Sequence, residues 1–144
     1  MPSTVTVVIA DDEPLIRDAL LALLADDARL RTVGVASDGA EAVALIEEHH
    51  PTIALLDLRM PHGGVSGIRA ARAASPRTRV VVLSAYDDAV SVSDVLRAGA
   101  VGFLTKGKLT TDLPSVLVRC ASGEVVIASE AAATALDELI AGRV

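Results

Sequence analysis

Three carboxylates, a hydroxyl and an ammonium stand along this chain, each where an apolar run gives out. Asp11 and Asp12 follow the run Thr4 to Ala10, and Asp57 closes Thr52 to Leu56. Ser84 closes Arg79 to Leu83, and Lys106 follows Val101 to Thr105. Gathered at one rim, Asp11, Asp12 and Asp57 would repel one another and raise a carboxyl pKa unless a cation were bound. A hard divalent ion resolves that repulsion, and Mg²⁺ held by one or two carboxylates plus waters suits phosphate chemistry. A carboxylate can also act as a nucleophile on phosphorus, giving an aspartyl phosphate. Such a transfer needs in-line positioning and neutralisation of the equatorial oxygens. Mg²⁺ would take one oxygen, the Lys106 ammonium a second and the Ser84 hydroxyl a third.

Each part also has an ordinary reading. An acidic pair ahead of a helix compensates its dipole, and Asp57 alone serves as an N-cap or turn residue. Ser84 alone is a turn residue and Lys106 alone a solvent-facing cation. Joint placement at four strand ends is what favours a shared site.

The elements that must position these groups follow from apolar patterning. The β-branched run Thr4 to Ala10 reads as a central strand, and Pro14 suits the first turn of a helix over Leu15 to Ala25. Ile16, Leu20, Leu23 and Leu24 give that helix one apolar face. A second strand spans Leu30 to Ala36, Ser37-Asp38-Gly39 forms a turn or N-cap, and a helix covers Ala40 to His49. Pro51 opens the strand that climbs to Asp57, an unbroken apolar run of the kind buried on both faces of a parallel sheet. A helix over Ser66 to Ala74 and a strand over Arg79 to Ser84 come next, then a helix capped by Asp87 or Asp88 and stopped at Gly99. Val101 to Thr105 is the fifth strand, and a helix from Thr110 or Thr111 reaches Ala121. Ile127-Ala128-Ser129-Glu130 opens a last helix with Ala132, Leu136, Leu139 and Ile140 at core spacing. Strands alternating with helices predict an α/β fold, a doubly wound parallel sheet of order 2-1-3-4-5. Its switch point, between the first and third strands, brings Asp11, Asp12 and Asp57 together.

Composition sets the outer bounds. A chain of 144 residues makes one ordinary domain that buries roughly two thirds of its unfolded surface. Half the residues are hydrophobic, yet no apolar run approaches the ~20 needed to cross a bilayer. The start Met1-Pro2-Ser3-Thr4 lacks the basic and apolar regions of a signal peptide. Together with the single Cys120, this places the expected location in the cytoplasm, without membrane attachment. A net charge of −6 and near absence of aromatics argue against direct nucleic-acid binding by this chain.

The residues Ile9 to Glu13 (IADDE), Leu55 to Pro61 (LLDLRMP), Val81 to Ala85 (VVLSA) and Ala98 to Lys106 (AGAVGFLTK) resemble the receiver domains of two-component response regulators. Motif order and spacing agree across about residues 4–122. The resemblance implies a flavodoxin-like fold of five strands and five helices, with a cognate sensor histidine kinase as partner. Asp57 is then the phosphoacceptor, with Asp11, Asp12, Asp57 and the backbone carbonyl of Arg59 serving Mg²⁺. Ser84 becomes the switch hydroxyl, Lys106 the phosphate-binding lysine and Phe103 the switch aromatic; the ordinary alternative for Phe103 is a core residue on a strand. Tyr86 is expected at the rim of the crevice. The layout most resembles the NarL/FixJ type, which implies transcriptional output through a DNA-binding helix-turn-helix domain and dimerisation on phosphorylation. Residues 1–122 are then the receiver, and 123–144 a linker and helix leading towards an output domain absent from this chain. No enzyme is implied beyond self-phosphorylation from small donors and slow dephosphorylation. Other classes are a pseudo-receiver acting as an interaction module, a stand-alone single-domain regulator, and a phosphatase with an aspartyl nucleophile. The phosphatase lacks its second acid, because Arg59 stands two residues after Asp57.

Several residues depart from the family pattern or compete for attention. Gly107 replaces a common proline after Lys106, and Gly67 lies ten residues past Asp57, a longer spacing than is common. His62 to Ser66 should therefore bulge or be mobile. His49 and His50 point apart and read as a solvated helix end rather than a metal site, and Cys120 as a buried small apolar residue.

Overall fold

The computed structural model describes residues 4–85, 89–106 and 112–128. Strands β1 (Val5–Ala10), β2 (Leu30–Ala36), β3 (Ile53–Asp57), β4 (Arg79–Ser84) and β5 (Gly102–Thr105) alternate with helices α1 (Pro14–Ala25), α2 (Gly39–His49), α3 (Gly64–Ala74), α4 (Ala89–Arg97) and α5 (Leu113–Ala121). The parallel sheet has the expected order β2-β1-β3-β4-β5, extended by a short sixth strand, β6 (Val126–Ala128). This is the flavodoxin-like α/β fold.

Period-two alternation along each strand builds two cores. Val8, Ala10, Leu56, Val82 and Phe103 face one side, beneath Ala42 and Ile46 of α2, Ile68 and Ala71 of α3, and Val92 and Val95 of α4. Val7, Ile9, Leu55 and Leu83 face the other, against Leu20 and Leu24 of α1 and Leu117 and Cys120 of α5. Every residue of β3 is buried, as a central strand covered on both faces requires.

Punctuation follows the local chemistry. Pro14 begins α1, and the Asp38 carboxylate accepts from the Glu41 N–H at 2.8 Å to cap α2. Gly99 and Gly123 leave the ends of α4 and α5 at φ +106 and +108, a region glycine enters without strain. His50 ends α2 in the left-handed conformation at φ 44, with its ring nitrogen 3.1 Å from the Ser75 hydroxyl. His49 and His50 are exposed at that helix end, as expected.

Two local expectations are corrected. Of the stretch His62 to Ser66, expected to bulge or be mobile, Gly64 to Ser66 form the first turn of α3 and only His62 and Gly63 stay outside the helix. His62 and Gly64, at φ 58 and 64, make the reversal that lets the helix start early. Ile127 and Ala128 do not open a helix. With Val126 they pair in parallel with Gly102, Phe103 and Leu104, because β5 would otherwise leave an edge unpaired. The expected caps Asp87, Asp88, Thr110 and Thr111, Tyr86, Gly107 and the remainder of the expected last helix, with Ala132, Leu136, Leu139 and Ile140, lie outside the described residues.

Candidate functional site

Four neighbouring strands deliver the site. Asp11 leaves the end of β1, and its N–H donates to the Ala36 carbonyl at 3.1 Å, so the departure angle is fixed by β2. Asp57 is the last residue of β3, opposite Leu83. The Leu58 N–H donates to the Leu83 carbonyl at 2.8 Å and continues the ladder just past the carboxylate. Ser84 ends β4 opposite Thr105, and Lys106 is the next residue after β5. Asp11 and Ser84 are fully buried and Asp57 is 3% exposed, whereas Asp12 and Glu13 face solvent.

The Lys106 ammonium ties the rim together. Its Nζ lies 2.8 Å from Asp11 Oδ2, 2.8 Å from Glu13 Oε1 and 3.2 Å from Asp57 Oδ2. Only 8% of its side chain is exposed, so the cation is held rather than solvated. Burial alone would pull its pKa down. The Asp11 and Glu13 carboxylates outweigh that, and the ammonium is held above its ordinary range. Backbone donors hold the remaining oxygens: the Glu13 N–H donates to Asp11 Oδ1 at 2.8 Å and the Arg59 N–H to Asp57 Oδ1 at 3.1 Å. Burial pushes the Asp57 carboxyl up to about 6, the Arg59 N–H lowers it, and the neighbouring Asp11 charge raises it again.

Carboxylate oxygens of Asp11, Asp12, Glu13 and Asp57 all lie within 4.8 Å of one another. Asp11 Oδ2 is buried without a hydrogen-bond partner among the described residues: Lys106 is at ion-pair distance but off the hydrogen-bonding line. An all-oxygen donor set, with one buried oxygen held only by an ion pair, fits a hard cation. The acidic cluster is therefore consistent with a metal site. Glu13 is a member that charge patterning alone hides, since an acidic residue before Pro14 looks like dipole compensation. Its partner Lys106, far away in sequence, is the signal that distinguishes it.

A family model for the response regulator receiver domain matches residues 7–117. The chain belongs to the response regulator receiver domain family. Such receiver domains are signalling phosphoacceptors rather than enzymes, and the relatives are of the NarL type. Over 130 residues this receiver is 40% identical to "Probable transcriptional regulatory protein NarL" of Mycobacterium tuberculosis (strain CDC 1551 / Oshkosh), covering 88% of this chain and 59% of that protein. It is 34% identical to "Uncharacterized transcriptional regulatory protein YxjL" of Bacillus subtilis (strain 168), covering 93% of this chain and 62% of that one. The chain thus spans about three fifths of the length of these curated relatives. Among solved structures, the signal receiver domain of NarL from Mycobacterium tuberculosis superposes with a TM-score of 0.81 at 40% identity, covering 85% of this chain and 100% of that one.

Of the other site residues singled out in the sequence, Phe103 is fully buried in the core under α2, α3 and α4, flanked on neighbouring strands by Val82 and Ile127. Cys120 is buried, and burial raises its thiol pKa. His62 is exposed on the loop after Pro61. No helix among the described residues is long and apolar enough to cross a membrane.

Proposed function

We propose that this receiver accepts a phosphoryl group on Asp57 from a sensor histidine kinase and passes the change on to a transcriptional output. One observation carries the proposal: the buried Asp57 carboxylate and Asp11 share the Lys106 cation at 3.2 and 2.8 Å at the tip of β3. In the transfer, Asp57 Oδ2 attacks phosphorus, the P–N bond of the kinase phosphohistidine breaks, and the imidazole nitrogen leaves with the electron pair. Lys106 turns from the carboxylate towards the incoming oxygens, and the Ser84 hydroxyl donates to another. Asp11, Asp12, Asp57 and the Arg59 carbonyl would hold Mg²⁺, which neutralises phosphoryl charge when bound. Ser84 moves towards the phosphoryl group, and Phe103 follows it as the second half of the switch. Two packings of that strand end turn a local charge into a surface signal. Tyr86, outside the described residues, is assigned to the rim.

At the level of the whole protein, this receiver works in the cytoplasm and dimerises on phosphorylation. It acts through a DNA-binding domain outside this chain, with residues 123–144 as the connecting segment, and does not itself bind nucleic acid. The test is intact-mass measurement after incubation with acetyl phosphate and Mg²⁺. A single phosphate adduct is expected on the wild type, absent in Asp57→Ala and absent without the metal. An adduct that survives Asp57→Ala, or none with any small donor or kinase, overturns the assignment.

A further inference from the structure

At the opposite end of the sheet from the acidic rim, a pocket of about 510 Å³ opens among Thr52, Arg72, Pro76, Arg77, Arg79 and Val101. Thr52 precedes β3, Arg79 opens β4 and Val101 precedes β5. Five strand residues separate the two ends, roughly 17 Å at ~3.3 Å each. The pocket is therefore distinct from the Asp57 site.

Its charge is unusual for this chain. Three arginines converge on one concavity of a molecule whose net charge is −6. Ion pairs among the described residues engage Arg29, Arg119, Lys106 and His49, but none of these three. Arg72 Nη1 donates to the Ala98 carbonyl at 3.3 Å, while the Arg77 and Arg79 guanidiniums meet no carboxylate among the described residues. Helix dipoles account for part of the charge: Arg72, Arg97 and Arg119 stand in the last turns of α3, α4 and α5. Arg77 and Arg79 stand on no helix, although the Arg79 guanidinium reaches Gly123 at the end of α5. One lies on the α3–β4 connection and the other is the first residue of β4.

Bare backbone makes room for one guanidinium: a Cβ on Gly99 would collide with Arg72 Nη1, whereas one on Gly123 would meet Arg79 Nη2 only at ordinary contact distance, 3.8 Å. Pro76, Val101 and Ala121 add apolar wall. The forked, permanently charged guanidinium matches phosphate oxygens two at a time. Inorganic phosphate would leave most of this volume empty, since pockets of about 300–1,000 Å³ hold whole small molecules. An extended polyanion such as duplex DNA would meet the acidic remainder of the surface as well.

We propose that this pocket binds a small phosphorylated ligand of nucleotide size, with Arg72, Arg77 and Arg79 on its phosphate oxygens. The test is a titration of the ¹⁵N-labelled 144-residue chain with ATP, pyrophosphate and phosphate, in EDTA and at constant ionic strength. Amide shifts are expected at Arg79, Gly99, Val101 and Gly123 and not at Asp57, with ATP at least tenfold tighter than phosphate. Arg77→Ala/Arg79→Ala should weaken ATP at least tenfold, and Asp57→Asn should leave it unchanged. Should the double variant fail to show a native spectrum, Arg77→Ala alone must weaken ATP at least threefold. The proposal is overturned by unchanged affinity in a folded variant or by shifts lying elsewhere. It is equally overturned if sulfate gives the same shifts at the same ionic strength, or if duplex DNA binds this end more tightly than ATP.

Discussion

Asp57 and Lys106 are bound by opposite electrostatic needs, and each yields a prediction at the scale of one side chain. The Asp57 carboxyl has a folded pKa of about 6 against 3.8 for an unperturbed aspartate, because burial penalises its charge. A raised carboxyl pKa means that the folded state holds its proton longer than the unfolded chain. The neutral form carries no penalty below pH 3.8, and stability falls as pH rises from there through 6. Asp57→Asn removes the penalty, so in EDTA the variant should be more stable than wild type at pH 7 by roughly 1–2 kcal/mol. That gap should close as pH falls from 6 to 4, read by urea unfolding at each pH. A variant equal to or weaker than wild type at pH 7 would contradict the burial argument. Lys106→Ala acts the other way, stripping the shared cation from Asp11 and Asp57. Breaking a buried pair by removing one partner costs about 3–5 kcal/mol. Thermal melting in EDTA should fall accordingly, and Mg²⁺ should restore more stability to this variant than it adds to wild type. An equal Mg²⁺ increment in both proteins would separate Lys106 from the acidic cluster.

Among the elements, the connection from β3 to α3 carries the tightest geometry. The Gly39 N–H donates to the Pro61 carbonyl at 2.7 Å, and a Cβ on Gly39 would run into the His62 carbonyl. The start of α2 and the loop beyond Asp57 are thus locked together by backbone against backbone, which cannot yield as a flexible side chain can. Gly39→Ala should cost about 2–4 kcal/mol by this overlap, within the range of severe local strain. It should also shift the amides of His62 and Gly63 in an ¹⁵N spectrum. The Asp38 cap on the same helix is a milder test: Asp38→Ala should cost about 1 kcal/mol in chemical unfolding and leave the loop amides in place. A Gly39→Ala protein as stable as wild type would show that the two segments can move apart. This loop also marks where sequence patterning stops being informative. Apolar runs ending at Asp11, Asp57 and Ser84 announce both strand and site, since burial and chemistry share one alternation. The chain from Pro61 to Ser66 has no such alternation, and its course depends on two positive φ angles, at His62 and Gly64, and on Gly39 lying across from it. The role of Glu13 is hidden for a related reason: its ion pair with Lys106 joins the end of β1 to the end of β5, a pairing that local spacing does not encode.

For the molecule as a whole, β6 ties the residues after α5 to the strand that carries the site. Val126 and Ile127 lie beside Gly102 and Phe103, and Ile127 packs against the core that contains Phe103. The run Val125 to Ala128 is too short to show strand alternation, so only the open edge of β5 reveals it as a strand. Its position has a mechanical consequence. Phe103 is fully buried between Val82 of β4 and Ile127 of β6, so any rotation of the ring must work against both neighbours. Ile127→Ala opens space on one side only. Truncating a partly buried isoleucine should cost about 1–2 kcal/mol, below the cost at a fully enclosed site. The same variant should ease the ring's movement, raising the exchange of the Phe103 ring and the Ser84 amide on the microsecond-to-millisecond scale seen by NMR relaxation dispersion. Phosphoryl uptake from acetyl phosphate should then proceed at least as fast as in wild type, because no group of the acidic rim has changed. Loss of stability with no new exchange at Phe103 would mean that β6 supports the sheet without restraining that ring.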